Sequence, residues 1–142
     1  MTADGVCPVT LFAPDHTDQL CCIVMLPDVA GTRPTFADMA RTLAGFGYAV
    51  LLPDLYYRHA DHVPFSLPSA FTDPAERARM MAMGDAITVG MMESDAIAYF
   101  DYLDKRPEVR GGTFGLCGYC RGGRISLTVA GRIPGRVAAV AS

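Results

Sequence analysis

Thr113–Gly123 reads T-F-G-L-C-G-Y-C-R-G-G, a short apolar run that meets two glycines flanking a cysteine. Read physically, it is a buried strand over Thr113–Leu116 that turns sharply into a helix and presents Cys120 at the mouth of that helix. Gly118 and Gly122 stand two positions either side of Cys120, giving G-x-C-x-G, the nucleophile-elbow spacing with cysteine in place of serine. Glycine suits both positions because a strained turn must let neighbouring backbone approach without a Cβ in the way.

Working outward, the residues after the elbow predict a helix over Arg124–Ala130 and another buried strand over Val137–Ala141, V-A-A-V-A. Before it, Val9–Phe12 reads as a short edge strand. Cys21–Leu26, C-C-I-V-M-L, is a continuous apolar run closed by Pro27, the mark of a strand covered on both faces. Thr35 and Asp38 are spaced as a capping box, predicting a helix to about Phe46 with Met39, Leu43 and Phe46 on its apolar face. Tyr48–Leu52 is a second buried strand, and strand, helix, strand over this span is one βαβ unit with an expected right-handed crossover.

Leu55–Asp73 shows no clear periodicity and reads as a lid or pocket wall, since long irregular loops in compact domains commonly bind or cover something. Asp73-Pro74 starts a helix, with Asp at the cap and Pro at the first helical position. Helical composition continues to about Arg106, with expected breaks at Gly84-Asp85 and Gly90. The methionines at 80, 81, 83, 91 and 92 read as helix-to-sheet packing rather than as a flexible binding surface. Ile97, Phe100 and Leu103 give the last helix its buried stripe.

Alternating strands and helices around an elbow call for an α/β fold of α/β-hydrolase type, a doubly wound, mostly parallel sheet with its site at the carboxyl ends of the strands. Residues 1–142 then form the N-terminal part of a single such domain, truncated before its C-terminal strands. Cys120 would sit at a helix N-terminus, where unpaired N–H groups and the helix dipole favour thiolate. The fold calls for an oxyanion hole from the N–H of Arg121 and an N–H in the loop after an early strand, here Val29. Asp28 in that loop places a carboxylate near the thiol.

G-Y-C-R-G-G, the early I-V-M-L-P-D-V-A-G loop and P-D-L-Y-Y-R at 53–58 together resemble the dienelactone hydrolase family, from about residue 6 to the end and in the family's order. The resemblance implies a cysteine nucleophile, Cys120, attacking a small cyclic ester such as an enol lactone to give the ring-opened acid. It places Asp28 where the family has a loop glutamate that contacts the thiol, and Arg77 roughly where a substrate-carboxylate-binding arginine stands, with Arg79 two positions away as the alternative. Tyr56 is the other substrate-binding candidate.

Three departures bear on the chemistry. Asp28 is one methylene shorter than the family's glutamate, so its contact with the thiol runs through water or is not made. Arg121 stands where many relatives carry an apolar residue, and either adds positive potential beside the thiol or points to solvent. An elbow enzyme of this order also takes its Asp and His from after the nucleophile, and the 22 residues that follow Cys120 contain neither. The expectation is therefore a portion of a longer hydrolase with weak or no turnover of its own. His59 and His62, upstream in the irregular segment, are the alternative source of a base.

Other readings compete. Cys117-Gly-Tyr-Cys120 is a C-x-x-C at a strand-to-helix junction, the context of thiol–disulfide redox motifs, although the apolar run keeps Cys117 on the strand. A non-catalytic fragment is the third reading, in which the sheet edge at Val137–Ala141 supports self-association or docking of a missing C-terminal segment. Five cysteines with one vicinal pair make a poor disulfide framework. No cofactor or metal is expected. A net charge of −3 with scattered basic residues leaves no footprint for nucleic acid or membrane. The N-terminus lacks signal-peptide character, which makes a cytoplasmic location the default. Lactone, ester and thioester substrates all remain compatible with this set of residues.

Overall fold

The elbow strand lies between two parallel neighbours in a five-stranded sheet of order β1-β3-β2-β4-β5. The strands are β1 (Val9–Phe12), β2 (Cys22–Leu26), β3 (Ala49–Pro53), β4 (Phe114–Gly118) and β5 (Val137–Ala141). This is a computed structural model, and it describes residues 1–15, 19–59 and 63–142. β1 runs antiparallel to β3, and the other pairings are parallel. The chain leaves β2 toward β3 on one side and later returns to place β4 on the other. The carboxyl ends of β2 and β4 thus flank the point where the connections diverge, the crevice in which such sheets bind ligands.

Helix α1 (Pro34–Gly45) covers one face of the sheet through Phe36 and Ala40, against Met25, Val50 and Leu52. On the opposite face α4 (Val89–Leu103) and α5 (Arg121–Arg132) bury Phe100, Leu103, Ile125 and Val129 against Val24, Leu26, Leu51 and Leu116. A third cluster gathers Ala30, Tyr56, Phe65, Ala70 and Met80, and joins the loops after β2 and β3 to α2 (Leu67–Thr72) and α3 (Pro74–Asp85). The cover thus sits beside the strands' carboxyl ends. Met92 packs in the core against the sheet and Met80 in the third cluster, whereas Met81 is 40% exposed, so the packing reading of the methionines holds only in part.

Several local expectations are corrected. α1 starts at Pro34 with extended Arg33 before it and no side-chain cap; Asp38 pairs with Arg41 instead of closing a capping box. Phe36, Ala40 and Ala44 are the buried residues of α1, and Met39 and Leu43 pack partly buried against the same cluster as expected, while Phe46 lies past the last turn and is 76% exposed. Pro34 suits the first helical position because its fixed φ is already helical and its missing N–H would have had no partner there. Residues 55–73 are not wholly irregular, since they hold a 3₁₀ turn at Tyr57–His59 and α2. Gly90 does not interrupt a helix; it lies inside the first turn of α4, whose cap is Thr88. Ile97 is 43% exposed, and Met92, Ala96 and Tyr99 complete the stripe with Phe100 and Leu103. α5 starts at Arg121, three residues earlier than the composition suggests. The cap at Asp73 is as expected, its carboxylate accepting from the N–H of Ala75 at 2.8 Å. Among the described residues, no helix is long and apolar enough to cross a membrane.

Candidate active site

β4 delivers the chain to Cys120, which caps α5 with φ 53° and ψ −107°. A non-glycine residue at positive φ is costly and persists only where its surroundings impose it. Here two contacts impose it. A Cβ on Gly118 would stand 2.2 Å from the carbonyl oxygen of Gly122, and one on Gly122 would stand 2.0 Å from that of Leu26 and 2.5 Å from that of Pro27. The first turn of α5 is therefore seated directly on the end of β2. The Tyr119 N–H extends the same alignment by donating to the Leu26 carbonyl at 3.1 Å. The thiol itself is exposed at the first turn of a twelve-residue helix.

The loop leaving β2 brings Asp28 and Val29 to this junction. The Asp28 carboxylate accepts from the Ala30 N–H at 2.9 Å, and both its oxygens are held by the guanidinium of Arg33 at 2.6 Å. Arg33 also donates to the Gly31 carbonyl and lies over the Phe36 ring at 4.7 Å. The carboxylate raises the Arg33 pKa further, against partial desolvation. The structure thus gives Asp28 a bidentate cationic partner within its own loop. The sequence signal for this pair is an arginine five residues away.

Val29 is fixed from behind: its carbonyl accepts from the Tyr56 hydroxyl at 2.6 Å. Tyr56 is 1% exposed, and its ring would touch any Cβ on Gly31 at 3.0 Å. Burial pushes its phenol up to about 12, so it stays a neutral donor across the ordinary pH range. The structure therefore places Tyr56 under the loop that carries Val29.

Arg121 contributes its N–H at the first helical position, where no intrahelical acceptor exists. Its side chain turns inward, 9% exposed, donating from Nη1 to the Gly84 carbonyl at 2.8 Å and from Nη2 to Asp85 at 2.7 Å. The guanidinium is thus held at the end of α3 rather than in solvent. Gly84 and Asp85, read from the sequence only as a helix end, are thereby brought to the elbow. Arg77 is exposed on α3 and makes no ion pair among the described residues. Arg79 is occupied, paired with Glu76, donating to the Val63 carbonyl and lying 4.2 Å over the Phe65 ring.

His59 closes the 3₁₀ turn, whereas His16 and His62 lie outside the described residues. Cys117 lies within β4, its thiol donating to the Tyr119 hydroxyl at 3.6 Å, and Cys120 lies beyond the strand. The described cysteines are all free thiols. Among the described residues, no group of three or more His, Cys, Asp or Glu is placed to hold a metal ion.

The model of the dienelactone hydrolase family matches residues 7–142. A carboxymethylenebutenolidase of Rhodococcus opacus is 31% identical over 141 residues, 95% of this chain and 48% of the relative. One from a Pseudomonas species is 30% identical over 108 residues, 76% of this chain and 43% of the relative. A solved dienelactone hydrolase-like promiscuous phosphotriesterase from metagenomic libraries superposes with a TM-score of 0.69 at 25% identity, over 98% of this chain and 54% of that one. The chain thus spans about half the length of the curated relatives it matches.

Proposed function

The chain belongs to the dienelactone hydrolase family, and from that premise we propose that it carries the nucleophile and oxyanion hole of a carboxylic ester or lactone hydrolase. The Cys120 thiolate attacks the acyl carbon, the carbonyl oxygen becomes an oxyanion facing the N–H groups of Val29 and Arg121, and collapse expels the alcohol or enolate oxygen. An acyl-thioester remains. In a lactone the leaving oxygen stays attached, so the product of attack is a ring-opened thioester that water then releases as the acid. Arg77 is the candidate for a substrate carboxylate and Tyr56 a support of the pocket wall.

The observation that carries this reading is the backbone of Cys120, at φ 53° between two glycines that leave no room for a side chain. A thiol buried for packing needs no such turn; one presented to a substrate at a helix N-terminus does. The curated relatives are about twice as long, and we assign the base and its acidic partner to sequence of that kind, outside these residues. Acyl transfer from an activated ester needs only thiolate and oxyanion hole, whereas release of the acyl group needs a base. The expected result with p-nitrophenyl acetate is therefore a burst of about one p-nitrophenolate per chain followed by slow turnover, with acetyl found on Cys120 by peptide mass mapping. Cys120→Ala abolishes the burst and Cys117→Ala retains it. Acetylation spread evenly over the exposed thiols, Cys21 included, would overturn the assignment.

A further inference from the structure

The two proposed oxyanion donors come from different strands' ends, Val29 after β2 and Arg121 after β4, and the end of α3 touches both. The Arg121 guanidinium reaches across to the Gly84 carbonyl and to Asp85. Gly84 is packed so closely between the two loops that a Cβ there would stand 2.6 Å from Arg121 Nε, 2.9 Å from Arg121 Cζ and 2.9 Å from Val29 Cγ2. The buried Nε has no hydrogen-bond partner among the described residues. An unpaired buried guanidine nitrogen is costly, and it is tolerated here because the other nitrogens fix the fork over the bare glycine. On the far side, the Tyr56 hydroxyl holds the Val29 carbonyl. α3 in turn is tied to the loop before α2, where Arg79 donates to the Val63 carbonyl.

We propose that the Arg121 side chain is a positioning residue: clasped on the last turn of α3 over Gly84, it fixes the spacing of the Val29 and Arg121 N–H groups and so couples the docking of α3 to oxyanion binding. The inference rests on the reading of Cys120 as an acyl-accepting nucleophile. The backbone donor belongs to the same residue as the clasp, so slack in the side chain is felt at the N–H with no intervening element. Arg121→Ala retains both N–H groups and the thiol, and removes only what holds them in register. A displacement of about 1 Å at such a site costs on the order of a hundredfold in rate, and loss of one donor about a hundred- to a thousandfold.

The test compares two reactions of Cys120 in the 142-residue chain. Acetylation by p-nitrophenyl acetate passes through an oxyanion; alkylation by iodoacetamide does not. In Arg121→Ala the acetylation rate constant is expected to fall roughly tenfold to a hundredfold while alkylation of Cys120 stays within about twofold. Arg121→Lys, which keeps the charge and reach without the fork, is expected to fall between Ala and the parent. Gly84→Ala should mimic Arg121→Ala, and adding it to Arg121→Ala should cost less than it does alone, because the guanidinium it strikes is gone. Acetylation at the parent rate in Arg121→Ala overturns the proposal, as does an equal loss of acetylation and alkylation, which would report a disordered elbow. A parent chain without a Cys120-dependent burst removes the reaction itself and this inference with it. A normal parent burst that is indifferent to Arg121 removes the inference alone.

Discussion

A methyl group at Gly122 would meet the Leu26 carbonyl oxygen at 2.0 Å, and one at Gly118 would meet the Gly122 carbonyl oxygen at 2.2 Å. Both obstacles are backbone, so neither can swing aside. Gly122→Ala and Gly118→Ala are each expected to destabilise by about 3 kcal/mol or more, the upper range for overpacking, read as a lower urea midpoint at unchanged slope. Gly131→Ala, with nothing within 4 Å of its Cβ position, should instead be neutral or mildly stabilising. These glycines were legible in the sequence because their spacing is set by the local turn. The partners of charged side chains were not. Arg33 lies five residues from both Asp28 and Asp38, and Arg121 has no carboxylate nearer in sequence than Glu108, so its partner Asp85 depends on where distant backbone arrives. The sequence places Asp28 in the loop beside the thiol, and the structure adds a partner that the sequence alone does not name, the fork of Arg33 at 2.6 Å.

At the scale of elements, strands were read closely and helix faces less so. β1 and β5 coincide in bounds with the apolar runs that announced them, but the expected burial of β5 is corrected: both are edge strands of this sheet, and three of the five residues of β5 are exposed. The uninterrupted apolar runs of strands covered on both faces are β2 and β3. A helix shows only a stripe whose edges are less plain: in α1 Phe36, Ala40 and Ala44 are buried beside the partly buried Met39 and Leu43, while Phe46 falls outside it. Nor could composition show that Asp95, one of the five residues between Glu93 and Tyr99, faces inward. It is 7% exposed and accepts from the Tyr57 hydroxyl and both terminal nitrogens of Arg58 at 2.8 Å. Arg58 also holds Asp4, and Thr2 donates to the Tyr57 hydroxyl, so one carboxylate fastens α4, the 3₁₀ turn and the N-terminal segment together. Asp95→Ala leaves a mostly buried guanidinium short of its partner and is expected to cost about 3 kcal/mol. Asp4→Ala removes only the more exposed arm and should cost about 1 kcal/mol or less. Chemical denaturation of the two variants separates these values, and equal effects would mean that the inner pair adds nothing to the outer one.

For the whole molecule, the order of elements already dictated a mostly parallel sheet with helices on both faces. What order alone does not give is how completely the interior is sealed, and the acids within it make that measurable. Burial pushes the Cys22 thiol from 9.0 up to about 12 and raises Cys7 as well. Tyr56 and Tyr57 are likewise pushed up from 10.0 to about 12, chiefly by burial. Each is an acid with a folded pKa above its unfolded one, so between the two values the folded chain holds protons that the unfolded chain has released. Stability from these groups is complete below pH 9 and is lost as pH rises, first through Cys22 and Cys7 and then, above pH 10, through the tyrosines. A fully expressed difference of one proton amounts to about 1.4 kcal/mol per pH unit. The urea midpoint should therefore hold from pH 7 to about 9, decline between 9 and 10, and decline more steeply above 10. Cys22→Ala should flatten the first decline and leave the second. A midpoint that stays level to pH 11 would show that water reaches these side chains and that the interior between the sheet and α4 is not closed.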